Sequence, residues 1–395
     1  MRLPCKSVWK LKPGPGGGRI AEAAAVQRQT EDGRMAEIDD YLRTMVEQGA
    51  SDLHLCTGCK PILRRDGAIV SLREEEVSAQ RAKTIIYEIM PSRNEKEYNE
   101  RSDTDFAYDI AGLARFRVNV FRDIKGIGAV FRVIPSDILT MQDLRLPESI
   151  RRFCTLQKGL VLVTGPTGSG KSTTLAAMID HINNTRTEHI ITIEDPVEFV
   201  HQNQMCLVNQ REVHTHTDSF KAALRAALRQ DPDIVLIGEM RDLETTRIAL
   251  ETAETGHLVF GTLHTTTAIS TVDRLIDQFP ADEQAQIRTM LASTLKGVVA
   301  QNLLKKKGGG RIAAIEVLVV NSAVAALIRE SKIQQIMSIM QTGKREGMTL
   351  LNHELAHLVR ENLVEPEEAY RKSVDKPDLL KQFDAFKITY VPPED

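Results

Sequence analysis

The sequence predicts an α/β protein in which a domain built on a largely parallel sheet follows a smaller α+β domain. Two observations carry that reading. The apolar run Leu160-Val161-Leu162-Val163-Thr164 leads into the glycine-rich stretch Gly165-Pro166-Thr167-Gly168-Ser169-Gly170 and then a helical pattern opening at Lys171. Further short apolar runs, Ile190–Ile193, Ile234–Ile237 and Leu258–Thr262, alternate with helical stretches near 171–182, 219–229 and 243–254. Alternating strands and helices imply parallel pairing with both sheet faces covered.

Taken in chain order, residues 1–34 hold Lys12-Pro13-Gly14-Pro15-Gly16-Gly17-Gly18 and no apolar leader pattern, and are expected to be a disordered tail. Met35 opens a better patterned segment and is a candidate true start. Ile38, Tyr41, Leu42, Met45 and Val46 recur at helical spacing, so a helix is expected over 37–47, ended by Gly49. Ala50 to Leu55 alternates like a strand, and Ile62 to Leu72 reads as a hairpin about Asp66-Gly67. A helix over 78–90 and strands at Phe106–Ile110, Arg115–Phe121 and Gly128–Ile134 complete the first domain, 35–134. Periodicity lapses from Pro135 to Pro147, the expected linker. The parallel-sheet domain takes 148–345, and a helical C-terminal region 346–395.

At 395 residues the chain is long enough for more than one core, and a net charge of −3 offers no electrostatic footprint for nucleic acid. Aromatic residues at 5%, with Trp9 the single tryptophan, leave little surface for base stacking. The five cysteines are scattered and odd in number, which suits a reducing compartment. No apolar run approaches the roughly 20 residues of a membrane helix, so any membrane association is expected to be peripheral.

Gly165, Gly170, Lys171 and Ser172 satisfy G-x-x-x-x-G-K-[ST]. Glycines let backbone N–H groups close around phosphates, a lysine reaches the β- and γ-phosphates, and a hydroxyl at the following position binds Mg²⁺. With Thr173 the stretch 165–173 is the expected phosphate loop, its ligands ATP and Mg²⁺. Such a site needs an acid on a neighbouring strand. Gly238-Glu239, ending Ile234–Ile237, supplies it, and Glu239 is the expected magnesium-side residue. Thr192-Ile193-Glu194-Asp195-Pro196-Val197-Glu198 ends another strand in carboxylates; Glu194 and Glu198 both qualify by spacing to orient the attacking water, and a solvated acidic turn is the plainer alternative. His264 falls at the C-terminal end of Leu258–Thr262, where it is placed to sense the γ-phosphate; His257, at the other end, suits a structural role. Arg115, Arg117 and Asn119 alternate with Phe116, Val118 and Val120, which sets the arginines opposite the apolar face. Arg132 on the next strand adds another guanidinium. Either a solvated basic face or a set of arginine fingers fits that pattern.

Two further motifs fit less well. His353-Glu354-Leu355-Ala356-His357 matches H-E-x-x-H but lies in a C-terminal helix without a clear third ligand. Cys56-Thr57-Gly58-Cys59 is a single C-x-x-C with only His54 nearby, and is expected to be two incidental thiols beside a turn.

Together, Gly49-Ala50-Ser51-Asp52-Leu53-His54, the phosphate loop, the acids from Glu194 to Glu198, Asp231 to Asp242 and the stretch through His264 resemble, in order, the pilus retraction ATPases (the PilT/PilU group) of the type II/IV secretion ATPase superfamily. The resemblance runs from about Met35 to about residue 375. It implies a PAS-like N-terminal domain, a RecA-like ATPase domain and a homo-hexameric ring at the cytoplasmic face of the inner membrane. Its implied partners are a platform protein there and a paralogous pilus ATPase. It implies Lys171 and Ser172 on phosphate and metal, Glu198 as catalytic glutamate, Glu239 on the metal side, His264 near the γ-phosphate, and Arg117 and Arg132, then Arg115, as fingers across a subunit boundary. The work implied is ATP hydrolysis driving pilus retraction, the basis of twitching motility. One element departs: the group's Ala-Ile-Arg-Asn-Leu-Ile-Arg-Glu reads Ala323-Val324-Ala325-Ala326-Leu327-Ile328-Arg329-Glu330 here. That departure keeps open an accessory paralogue. Extension and secretion ATPases of the superfamily usually add an N-terminal domain and a four-cysteine module that this sequence lacks. A RecA-like nucleic-acid motor is the remote alternative.

Overall fold

A computed structural model of the chain describes residues 36–65, 68–72, 75–134 and 138–392. The expected tail, the hairpin tip at Asp66-Gly67 and the start of the expected linker lie outside the described residues. The chain divides into two compact units, one ending at Val133 and the other beginning at Ile134.

The first unit runs α1 (Glu37–Glu47), β1 (Asp52–Cys56), β2 (Ile62–Arg65), β3 (Ala68–Ser71), α2 (Ala79–Ile89), α3 (Ser92–Arg101), β4 (Asp103–Ile110), β5 (Ala114–Asp123) and β6 (Gly126–Ile134). Its six strands lie in the order β3-β2-β1-β6-β5-β4. β1 pairs antiparallel with both β2 and β6, with Asp52 opposite Arg132 and Cys56 opposite Gly128. The alternating pattern in β5 buries Phe116, Val118 and Val120 with the apolar stripe of α1 (Ile38, Tyr41, Leu42, Met45) and with Ile85 and Ile86 of α2. No expectation covered α3. Tyr98 is its single buried residue, so the helix carries no apolar stripe for periodicity to reveal.

The second unit runs α4 (Glu148–Phe153), β7 (Gly159–Thr164), α5 (Lys171–Asn183), β8 (His189–Glu194), β9 (Leu207–Glu212), α6 (Phe220–Ala227), β10 (Ile234–Ile237), α7 (Leu243–Glu254), β11 (Leu258–Leu263), α8 (Ala268–Asp277), α9 (Gln284–Thr294), β12 (Leu295–Lys305) and β13 (Arg311–Val319). The helices α10 (Ser322–Arg329), α11 (Ile336–Thr342), α12 (Leu351–Arg360), α13 (Pro366–Lys372) and α14 (Lys376–Ala385) follow. The seven strands lie in the order β13-β12-β7-β11-β10-β8-β9. All neighbours are parallel except the antiparallel β12–β13 edge pair. The predicted largely parallel α/β sheet is therefore present.

The strand residues part between two cores. Leu160, Leu162, Ile191, Ile193, Val235 and Ile237 join one apolar cluster, while Val161, Val163, Ile190, Ile234 and Leu236 join another on the opposite face. Burial on both faces explains why these strands read as unbroken apolar runs. β9, β12 and β13 had no counterpart in the sequence reading. β9 is an edge strand whose Leu207 is half exposed, and β12 carries Gln301 and Asn302 buried at its centre. Neither gives a continuous apolar run. The β12–β13 hairpin also supports the C-terminal helices, since Leu304 and Ala314 pack with Leu351, Leu355, Leu379 and Phe383.

Gly297 marks an irregularity in the β12–β7 register, and a Cβ there would overlap the Phe153 ring. Gly297→Ala forces the ring or the strand to shift, an overpacking cost of about 1–3 kcal/mol. The expected result is a lower urea unfolding midpoint for the variant; an unchanged midpoint would show that Phe153 repacks freely.

Candidate nucleotide site

β7, β8, β10 and β11 end along one edge of the sheet, the side on which open parallel sheets hold their ligands. The glycine-rich loop connects β7 to α5 there. A Cβ on Gly165, whose φ is 144°, would overlap the Gln301 carbonyl and stand 2.6 Å from Ser169 Oγ. Only glycine fits. Gly170, with φ 90°, caps α5, so the first-turn N–H groups face the loop as an anion-binding end.

The loop is clamped from β12. Gln301 Nε2 donates to the Ser169 carbonyl at 2.6 Å, and Gln301 Oε1 accepts from the Thr174 hydroxyl at 2.9 Å. One buried amide thus ties the loop to the first turn of its helix. The sequence reading passed over Gln301, and the polar pair Gln301-Asn302 within an apolar stretch was the available signal. Ser169 Oγ is buried without a hydrogen-bond partner. Pro166, Thr167 and Gly168 stand exposed at the loop's crest, and Lys171, Ser172 and Thr173 are partly buried at the helix start.

Lys171 Nζ donates to the carbonyls of Gly165 at 2.9 Å and Pro166 at 3.3 Å. Burial holds its pKa below the usual lysine value, with the carboxylates of Glu239 and Glu198 partly offsetting that effect. The structure therefore brings Lys171, Glu239 and Glu198 into one electrostatic neighbourhood. Glu239 follows β10, and its Oε1 accepts from His264 Nε2 at 2.8 Å and Arg241 Nε at 2.5 Å. Burial opposes ionisation of Glu239, but the hydrogen bonds and electrostatic attraction of Arg241 and His264 together outweigh it and hold the carboxyl below its usual range. Arg241 was not among the sequence-expected residues. A hydroxyl at Ser172 and a carboxylate at Glu239 are hard oxygen donors of the kind magnesium takes.

The two candidate glutamates, Glu194 at the end of β8 and Glu198 in the turn beyond it, differ. Glu194 Oε1 accepts from the Thr192 hydroxyl at 2.6 Å and Gln210 Nε2 at 3.2 Å, and burial pushes its pKa up. Glu198 is exposed. The turn that carries it is pinned by buried Glu212, which accepts from the Val197 amide at 3.1 Å and the Thr215 hydroxyl at 2.8 Å. β9 supplies both Gln210 and Glu212, so an edge strand invisible in the sequence pattern orders the acidic turn.

His264 is exposed at the site's rim. His257 lies at the opposite end of β11, its Nδ1 3.1 Å from the Thr252 carbonyl, in a shallow cavity with Gln157, Glu188 and Asp233. In the first unit, Arg115 pairs with Asp109 at 3.5 Å, Arg117 with Asp105 at 3.6 Å and Arg132 with Asp52 at 2.8 Å. Arg117 and Arg132 remain substantially exposed. In the H-E-x-x-H segment, His353 packs edge-on against Phe386, and no group of three His, Cys, Asp or Glu among the described residues is placed to hold a metal.

The Type II/IV secretion system protein family matches residues 29–371. The chain is 52% identical over 337 residues to the type IV pilus retractation ATPase PilT of Pseudomonas aeruginosa, an alignment covering 85% of this chain and 98% of that protein. Identity is 49% to a twitching motility protein of Neisseria gonorrhoeae, covering 84% and 89%, and 38% to the type IV pilus ATPase PilU of P. aeruginosa, covering 87% and 90%. The crystal structure of the pilus retraction motor PilT with bound ADP superposes with a TM-score of 0.82 at 45% identity, over 87% of this chain and 98% of that one. With the glycine loop, the strand-end acids and that span of likeness in hand, this chain belongs to the Type II/IV secretion system protein family.

Proposed function

We propose that this chain is an ATPase whose hydrolysis drives type IV pilus retraction as a homo-hexameric ring at the cytoplasmic face of the inner membrane. The observation that carries the reading is the meeting of Lys171, Glu239 and His264 beside a loop that only glycine can form. The likeness to PilT and to the gonococcal twitching motility protein supports retraction as the work done.

Phosphoryl transfer asks the protein for position and charge rather than covalent chemistry. The loop amides and the α5 N-terminus bind the phosphate oxygens, and Lys171 leaves the loop carbonyls for the β- and γ-phosphates. Ser172 and Glu239 would hold magnesium, which neutralises charge on the β- and γ-phosphate oxygens when bound. Glu198 accepts the proton of the attacking water. Its exposure and its pinned turn suit that role, whereas Glu194 is partly buried and its Oε1 already accepts from Thr192 and Gln210. His264 reads the γ-phosphate through its bond to Glu239. Arg117 and Arg132, with Arg115 beside them, stabilise transition-state charge in a neighbouring subunit, which requires them to exchange their aspartate partners for phosphate. A platform protein in the membrane and a paralogous pilus ATPase are the expected partners.

A second reading rests on α10, the helix that carries the departing Ala325-Ala326. There the chain hydrolyses ATP as an accessory to a primary retraction motor.

Lys171→Ala is expected to lose both ATP binding and turnover, while Glu198→Gln keeps binding and loses about 10²–10⁴-fold in turnover. Glu194→Gln should cost less than Glu198→Gln; the reverse order, read from phosphate release, would exchange the two roles. Mixing inactive Arg132→Ala protein with inactive Lys171→Ala protein is expected to restore part of the turnover, since intact loops then meet intact arginines in trans. No recovery at any mixing ratio places Arg132 outside the reaction. A deletion strain should show surplus surface pili and no twitching, restored by the gene; normal pilus numbers with normal twitching would favour the accessory role.

A further inference from the structure

Cys56 and Cys59 take no part in the ATPase reading, yet they occupy the two ends of one tight turn. β1 ends at Cys56, and the Cys59 amide donates back to the Cys56 carbonyl at 3.2 Å. Gly58 stands at the third position of the turn with φ 66°. A turn of this kind brings its first and fourth Cα atoms within about 7 Å, and disulfides span Cα separations of about 4.4–6.8 Å. The turn is fastened on both sides. Thr57 donates its amide at 3.1 Å and its hydroxyl at 2.8 Å to the Ile127 carbonyl. The Gly58 amide donates to the Val77 carbonyl at 2.8 Å, and the Val77 amide to the Cys59 carbonyl at 3.0 Å.

The two thiols also differ from the chain's other described cysteines. Cys56 and Cys59 are partly exposed, whereas Cys154 and Cys206 are buried. Cys206 Sγ donates to the Arg186 carbonyl at 3.1 Å, and burial pushes the Cys154 thiol up to about 12. Lys125, in the turn between β5 and β6, donates to Cys59 Sγ at 3.7 Å, which sets a cation beside that sulfur. Burial pushes the Cys56 thiol up, which lowers its thiolate fraction. Metal binding lacks ligands here, since no group of three His, Cys, Asp or Glu among the described residues is placed for it.

We propose that Cys56 and Cys59 form a redox modification site, a dithiol that a low-molecular-weight disulfide such as oxidised glutathione converts to an intramolecular bridge. Cys59, as thiolate, attacks one sulfur of the external disulfide, whose S–S bond breaks and releases one small thiolate. Cys56 then loses its proton to solvent and attacks Cys59 Sγ, forming the bridge and displacing the second small thiolate, and both leaving groups take up protons. Two protein thiols are oxidised and one external disulfide is reduced to two thiols. The bridge closes at the Cys56–Gly128 end of the β1–β6 ladder, whose other end carries the Asp52–Arg132 pair. This inference does not rest on the ATPase reading.

The test equilibrates the folded full chain with reduced and oxidised glutathione over a range of ratios, quenches with acid and reads the intact mass. The expected change is a loss of about 2 Da, the two thiol hydrogens, reversed by dithiothreitol. Peptide mapping should place the bridge between Cys56 and Cys59. Cys56→Ser should instead hold a glutathione adduct on Cys59. An unchanged mass at every ratio overturns the proposal. So does an adduct that persists on the unsubstituted chain, or a bridge that maps to Cys5. The wild-type map decides the matter even where a serine variant folds poorly.

Discussion

The approach of β12 to the glycine loop is the contact on which the site depends. Gly165 lies so close to the Gln301 carbonyl that no side chain can stand between them, and the Gln301 amide ties the loop to α5. Both contacts require β12 to run parallel beside β7 in its observed register. A shift of one residue would turn Gln301 to the opposite face of the sheet. Phosphate chemistry in residues 165–173 therefore rests on a strand more than a hundred residues further along the chain. Buried polar groups of this kind cost little while fully paired and a great deal when half paired, which makes the register sharply specified.

The same logic orders the acids. Glu194 ends β8, and Glu198 and Glu239 lie in the turns after β8 and β10, so strand pairing brings all three toward a common edge. Their chemical differences come from what surrounds them. The hydrogen bonds and electrostatic attraction of Arg241 and His264 keep Glu239 ionised against burial; Glu194 is partly buried and its pKa pushed up by desolvation; Glu198 stands exposed on a turn held by buried Glu212. Three carboxylates of nearly identical intrinsic acidity are thus given three different environments.

The first unit shows an arginine set held by aspartates across neighbouring strands. Arg115 stands opposite Asp109 on β4, Arg117 reaches diagonally to Asp105 on the same strand, and Arg132 stands opposite Asp52 on β1. Of the three, only Arg117 and Asp105 are both well exposed, and a pair of that sort contributes little to stability, on the order of 0–1 kcal/mol, whereas Arg132 reaches a buried Asp52.

By itself the sequence determined the parts whose signal is local. The loop 165–173 announces itself because its backbone conformation demands glycine at fixed spacing, and β7, β8, β10 and β11 because burial on both faces demands unbroken apolar runs. The strand-end positions of Glu239 and His264 followed from those runs. The tertiary structure alone decided the rest: β9, β12 and β13, which mix polar with apolar residues, and α3, which buries a single tyrosine. It also decided that Gln301, Arg241, Gln210 and Glu212 serve the site, because a side chain's part in holding another depends on distances in space that spacing along the chain does not encode.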